Sequence, residues 1–146
     1  LTTQITFSML TQSGSFIVRF SGSNGDGHPF GSSSGNVNSN ACMTIRQRNT
    51  ASRVYAGHGG TAVNYTTRIA NGVYAISNNI LYIDGSPSAI NLSTGLGNVY
   101  PVTIGANNLD GTPSQFSNII VIAIAYYSVS LTPDQVVAIT TAMNAL

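Results

Sequence analysis

The stretch RVYAGHGGTAVNY, Arg53 to Tyr65, gathers a cation, two phenols, an imidazole and an amide around a glycine-rich turn. Side chains of these types suit a polyhydroxylated ligand. Amides and hydroxyls match its OH groups, and an aromatic face covers the apolar side of a sugar ring. The chain has no Trp, so that face must come from Tyr, Phe or His. Arg53, Tyr55, His58, Asn64 and Tyr65 are therefore the first candidate contacts. The glycines around His58 let backbone approach a ligand closely. If RVYAG and VNYTTR pair as a hairpin, alternate residues share a face, and Arg53 and Tyr55 fall together. A second group, Asn24, Asp26 and His28, lies in the low-complexity stretch SGSNGDGHPFGSSSGNVNSN, Ser21 to Asn40, which reads as one long functional loop. Arg46 and Arg48 share one strand face in CMTIRQR. An Arg fork suits the carboxylate of an acidic sugar; cross-strand ion pairs or a solvated face are the alternatives.

Catalysis has poorer material. Glycoside hydrolysis needs two carboxylates flanking one bond, and the chain contains no Glu. Asp26, Asp84 and Asp110 each precede Gly, as turn residues do, and Asp134 falls in a helix start. A Ser-His-Asp nucleophile is open on composition alone. The expectation is a protein without catalytic residues. Cys42 has no second cysteine to pair with and no Cys/His metal spacing around it, so it reads as a small buried strand residue.

Charge is scarce. Only 6% of residues are charged, against roughly a quarter in ordinary domains. The bases are all Arg, the acids all Asp, and the net charge is +1. Such a chain has no footprint for nucleic acid, whose binding works by neutralising phosphates. The longest apolar run, Ile119 to Tyr127, is about half of what a spanning helix needs, so membrane insertion is not expected.

At 146 residues the chain fits one domain, residues 1–146. It begins with Leu and reads as the C-terminal fragment of a longer polypeptide. Segments that alternate like half-buried strands run through Gln4–Leu10, Ser15–Gly22, Cys42–Arg48, Arg53–Gly57, Val63–Ala70, Val73–Ser77, Ile80–Asp84, Tyr100–Ala106 and Asn118–Ser128. Asn78-Asn79 reads as a hairpin turn. Ile119 to Ala125 is apolar on both faces, which predicts a strand in the middle of a sheet or beneath a helix. In SLTPDQ, Thr132 is the N-cap, Pro133 takes the first helical position and Asp134 the first turn. Val136, Val137, Ile139, Thr140, Met143 and Leu146 then form an approximate helical stripe. About nine strands at regular spacing, closed by one short C-terminal α-helix, predict an all-β antiparallel sandwich of jelly-roll type.

The ending YYSVSLTPDQVVAI, Tyr126 to Ile139, resembles the close of concanavalin A-like, laminin-G-like jelly-roll domains. ILYIDGS (Ile80–Ser86) and VTIGANN (Val102–Asn108) follow that family's order, whereas FSNII (Phe116–Ile120) lacks its glycine. The likeness is good over residues 70–146 and only a matching strand order before that. The family's hydrolases place Glu on the concave sheet, which this chain cannot do. Its lectins often hold calcium, and NGDGH (Asn24–His28) and NNLDG (Asn107–Gly111) are oxygen-rich loops of that type, though plain turns fit them too. Low charge with abundant Gly, Ser, Asn and Thr also resembles the terminal modules of phage tail fibres and tailspikes. The resemblance implies non-catalytic binding of a cell-surface glycan at the receptor-binding tip of a viral fibre, extracellular and trimeric. A structural trimerisation or decoration module is the alternative, and a glycoside hydrolase comes third.

Overall fold

The computed structural model describes residues 4–5, 14–22, 27–34, 40–48, 53–60, 64–67, 69–92, 102–109, 112–114, 116 and 118–146. They form two antiparallel-dominated sheets and one helix. The larger sheet contains β1 (Gln4–Ile5), β3 (Gly27–Ser34), β4 (Asn40–Arg48), β5 (Arg53–Gly60), β6 (Asn64–Thr67), β10 (Val102–Ile104), β11 (Asn107–Leu109) and β12 (Thr112–Ser114). Its main path runs β1-β10-β3-β4-β5-β6, with β11 joined in parallel to β3 and carrying β12. The smaller sheet contains β2 (Ser15–Ser21), β7 (Gly72–Ser77), β8 (Ile80–Ile83), β9 (Ser86–Asn91) and β13 (Ile120–Tyr127), ordered β13-β2-β7-β8-β9.

Strand alternation creates two apolar layers. Phe16, Val18 and Phe20 of β2, with Tyr74, Ile76 and Leu81, face Phe30, Ile45 and Ile104 of the larger sheet. Phe16 and Phe30 meet across the sandwich with ring centroids 4.1 Å apart, and Phe20 stacks on Tyr74 at 5.0 Å. The intervening residues Ile17, Val73 and Ala75 point the other way, against Leu131, Val136 and Met143. The smaller sheet is thus covered on both faces, which is why GVYAIS is buried at every position.

The helix α1 (Pro133–Asn144) forms as the sequence predicts. Thr132 Oγ1 accepts from the Gln135 amide and Gln135 Oε1 accepts from the Thr132 amide, closing a capping box. Val136, Thr140 and Met143 bury its inner face, while Val137 and Leu146 of the expected stripe are exposed. The linker before it is pinned by two buried serines. Leu131 N–H donates to both Ser15 Oγ (3.0 Å) and Ser77 Oγ (2.9 Å), and Ser77 Oγ donates back to the Leu131 carbonyl at 2.9 Å.

Two tight hairpins have the left-handed residues their turns require. Asn78 and Asn79 (φ 47° and 61°) join β7 to β8, as expected, and Asp84 with Gly85 (φ 49° and 82°) joins β8 to β9. Asp84 Oδ1 accepts from Val73 N–H at 2.8 Å and from Asn144 Nδ2 at 3.3 Å, tying the turn to sheet and helix.

Two expectations change. The stretch Ser21–Asn40 is not one long loop, because β3 occupies Gly27–Ser34 within it; its Ser-Gly composition hid a strand that pairs on both sides. The apolar run at Ile119 is not in the middle of the sheet, although its two faces do pack, one on the core and the other on the cluster that includes the helix residues Val136 and Met143. β13 lies at the edge of the smaller sheet, with Ile120 66% exposed. Its apolar character serves two half-covered faces rather than two fully buried ones.

Candidate functional site

The larger sheet has one face on the core, set by Phe30, Ile45 and Ile104, and an opposite face away from it. The helix packs on β7 and β2 of the smaller sheet, so it does not cover that opposite face. Register decides which residues share it. Arg46 pairs with Tyr55, and Tyr55 with Tyr65, forming one row across β4, β5 and β6. Arg48 pairs with Arg53, and Arg53 with Thr67, forming the next row on the same face. Same-face residues along a strand are about 6.8 Å apart, and directly opposed Cβ atoms about 5 Å apart. Three arginine and two tyrosine positions therefore share one face of β4, β5 and β6 in two neighbouring rows.

The floor beside this patch is built by a bulge. Gly27 pairs with Gln47 and Phe30 with Ile45, so His28 and Pro29 together oppose Arg46. The extra residue turns His28 away from the core, and His28 Nδ1 lies 3.0 Å from Thr44 Oγ1 with both side chains fully buried. Thr44 Oγ1 also lies 3.5 Å from the Phe30 carbonyl. In the same cross-strand row, Thr103 pairs with Gly31, Gly31 with Thr44, and Thr44 with Gly57. Thr103 Oγ1 is buried with no hydrogen-bond partner among the described residues. The face is thus covered toward β3 and β10, where these residues are buried, and half-buried at Arg46.

The predicted site residues separate on this frame. Arg53, Tyr55 and Tyr65 share the outer face, as the hairpin argument requires. His58 pairs with Met43, and Asn64 with Ala56, which puts both on the Ile45 side of the sheet. His28 is on a strand and buried rather than in an open loop. Asn24 and Asp26 lie outside the described residues. Of the two oxygen-rich loops, Asn24 to Asp26, Asp110 and Gly111 lie outside the described residues, and Asn107 to Leu109 form β11. Thr44, made part of the site by its register between two glycines, had no signal in the sequence. Arg46 and Arg48 were visible as a same-face pair, but only the register places Arg53 directly against Arg48.

No Asp lies on β3, β4, β5 or β6. Asp84 is committed to the β8–β9 turn and Asp134 to the first turn of α1. Like charges directly opposite each other destabilise a strand pair. The Arg48–Arg53 register therefore carries a local cost.

The architecture is an antiparallel β-sandwich closed by a C-terminal helix. No family model matches the chain, and no curated protein matches it by sequence. Solved structures match by shape. The CBM40 of the Ruminococcus gnavus IT-sialidase, bound to α2,3-sialyllactose, has a TM-score of 0.65 at 13% identity, over 96% of this chain and 98% of that one. Trypanosoma rangeli sialidase with 2,3-difluorosialic acid gives 0.65 at 13% identity over 90% of this chain. The K499G mutant of the Streptococcus pneumoniae NanB sialidase gives 0.65 at 13% over 94%. This chain spans only 23% of the T. rangeli enzyme and 26% of NanB. Identities this low show the fold.

Proposed function

We propose that this chain is a non-catalytic glycan-binding module that takes an acidic sugar on the outer face of its larger sheet. Arg48 and Arg53 hold the anionic group from two adjacent strands, and Arg46 flanks it. Tyr55 and Tyr65 provide aromatic surface in the row beside them. The observation that carries the reading is the Arg48–Arg53 register, with Arg46 two residues along the same strand. The R. gnavus CBM40, matched over nearly its whole length, is bound to a sialylated sugar, and this supports the acidic class. The absence of Glu and the structural commitments of Asp84 and Asp134 support binding without cleavage. Placement at the tip of an extracellular viral fibre rests on composition and the helix pattern alone; the sequence flanking the chain tests it.

Titration of the protein with sialyllactose and with lactose, followed by NMR or calorimetry, tests the sugar class. Each charge-assisted hydrogen bond contributes about 1.5–3 kcal/mol, so sialyllactose should bind at least tenfold more tightly and Arg48→Ala should erase that preference. Equal affinity for the two sugars would remove the acidic class. Binding of neither, across a broad glycan array, would remove the function. Release of free sialic acid would reinstate catalysis.

A further inference from the structure

The edge strand β13 has the composition of an interior strand in an exposed place. It hydrogen-bonds to β2 on one side, and no described strand lies on the other. From Gly111 to Pro133 the chain has no charged residue. Edges are normally blunted by charge, proline or brevity. The opposite edge of the same sheet, β9, carries Pro87 and lies beside β6. In β13 the only such device is the irregularity between Val121 and Ala123, which leaves Ala123 to Tyr127 in uninterrupted register.

We infer that β13 is the contact for a second copy of this chain, pairing antiparallel about a twofold axis at Ala125. The centre of the uninterrupted segment fixes that axis. Ala123 then faces the second copy's Tyr127, and Ile124 faces its Tyr126, an aromatic–β-branched pair of the kind that stabilises ladders. Small alanines at the axis leave room for close backbone approach.

The exposed apolar residues support the antiparallel sense. Ile120 (66%) and Ile122 (41%) lie at one end, with Phe116 (63%) before them, and Val129 (58%) lies just past the other. An antiparallel copy brings the end that carries Ile120 and Ile122 beside the second copy's Val129. A parallel copy would leave the two ends apart. An uncharged strand also matches itself without repulsion, and it offers a charged partner nothing to pair with.

The area argues for a weak contact. A strand of eight residues is about 27 Å long in a layer about 10 Å thick, so two edges cover roughly 540 Å² in total, below the ~1,200 Å² where stable complexes begin. The pair therefore forms at high protein concentration or when copies are held near one another. Because β13 belongs to the smaller sheet, the arginine faces of both copies stay free. Two weak sites would then act together on a multivalent surface.

Register-specific cross-linking tests this, independently of any sugar. In a Cys42→Ser background, Ala125→Cys brings two sulfur-bearing positions across the axis at about 4.5–5.5 Å between Cα atoms, which a disulfide can span. Ala123→Cys places its own pair about four residues out of register. Under mild oxidation Ala125→Cys should give a covalent dimer and Ala123→Cys should not. Sedimentation of the unmodified chain from about 10 μM to 1 mM should show a mass rising from one chain toward two. The double variant Ile120→Lys with Val129→Lys should abolish that rise, whereas Val137→Lys on the helix should not. A single-chain mass at the highest concentration, a three-chain mass, or equal cross-linking of both cysteine variants would overturn the inference.

Discussion

Replacing Arg53 by Glu should make the protein more stable and worse at its work. The register sets Arg48 and Arg53 directly opposite each other. With charge centres about 7 Å apart in water-like dielectric, two unit charges interact by about 0.6 kcal/mol. Exchanging repulsion for attraction therefore swings stability by about 1.2 kcal/mol at low ionic strength. Screening reduces this to roughly 0.5 kcal/mol at 0.15 M salt and nearly to zero at 1 M. Urea unfolding at low and high salt should show Arg53→Glu about 1 kcal/mol above the parent at low salt, a gain of roughly 2–4 °C in Tm, converging at high salt. Arg53→Gln, which removes repulsion without adding attraction, should fall midway. Affinity for sialyllactose should move the other way and fall by more than ~30-fold, as charge-assisted bonds are lost and a like charge meets the ligand. Arg53→Glu less stable than the parent at low salt, or a stability difference indifferent to salt, would show that the two arginines are not neighbours. Unchanged affinity would show that the pair does not meet the ligand.

Other features give further outcomes. Ser77→Ala leaves the Leu131 carbonyl without its hydroxyl donor while Leu131 N–H keeps Ser15. It should cost about 1–3 kcal/mol by urea unfolding, and adding Ser15→Ala should cost more than the two single changes summed, because only the pair strips the amide of both acceptors. Gly72 (φ +145°) has no room for a methyl group, since a Cβ would sit 2.6 Å from Ile69 Cδ1 and 2.7 Å from Asp84 Oδ1; Gly72→Ala should cost about 2–4 kcal/mol in the same assay. Burial raises the Tyr82 phenol above its ordinary value of 10.0. The unfolded chain thus ionises first, and stability present below pH ~10 is lost as pH rises through the folded value. Tyr82→Phe should flatten that alkaline limb of the unfolding curve.

The parts of the fold that were legible in sequence are those governed by local rules. Thr132, Pro133 and Gln135 define the helix start through bonds made within four residues. Asn78-Asn79 defines its hairpin through the left-handed backbone it tolerates. β3 was illegible because Gly31 to Ser34 carries no alternating apolar side chains; its place comes from partners on β4 and β10, distant in sequence. β13 misled for the opposite reason. Unbroken hydrophobicity reads as interior, and the sequence does not say which neighbours exist to supply the covering. The site shows the same division. Arg53 with Tyr55, and Arg46 with Arg48, follow from parity along one strand. Their union into one patch depends on which residue of β4 faces which residue of β5, and no single-strand pattern encodes that. His28 was misplaced because the Gly- and Ser-rich stretch around it reads as a loop, while the strand it lies on, and the bulge that sets His28 and Pro29 against Arg46, come from pairing with β4.

Seating the arginine patch on a hydrogen-bonded ladder, rather than on connecting segments, has a consequence for how capture would proceed. The backbone under Arg46, Arg48, Arg53 and Tyr65 is already fixed by pairing across three strands, so an incoming sugar has little chain to immobilise. Encounter should consequently be rapid and release should govern residence time. Selectivity would be altered by exchanging side chains in place rather than by reshaping the surface beneath them.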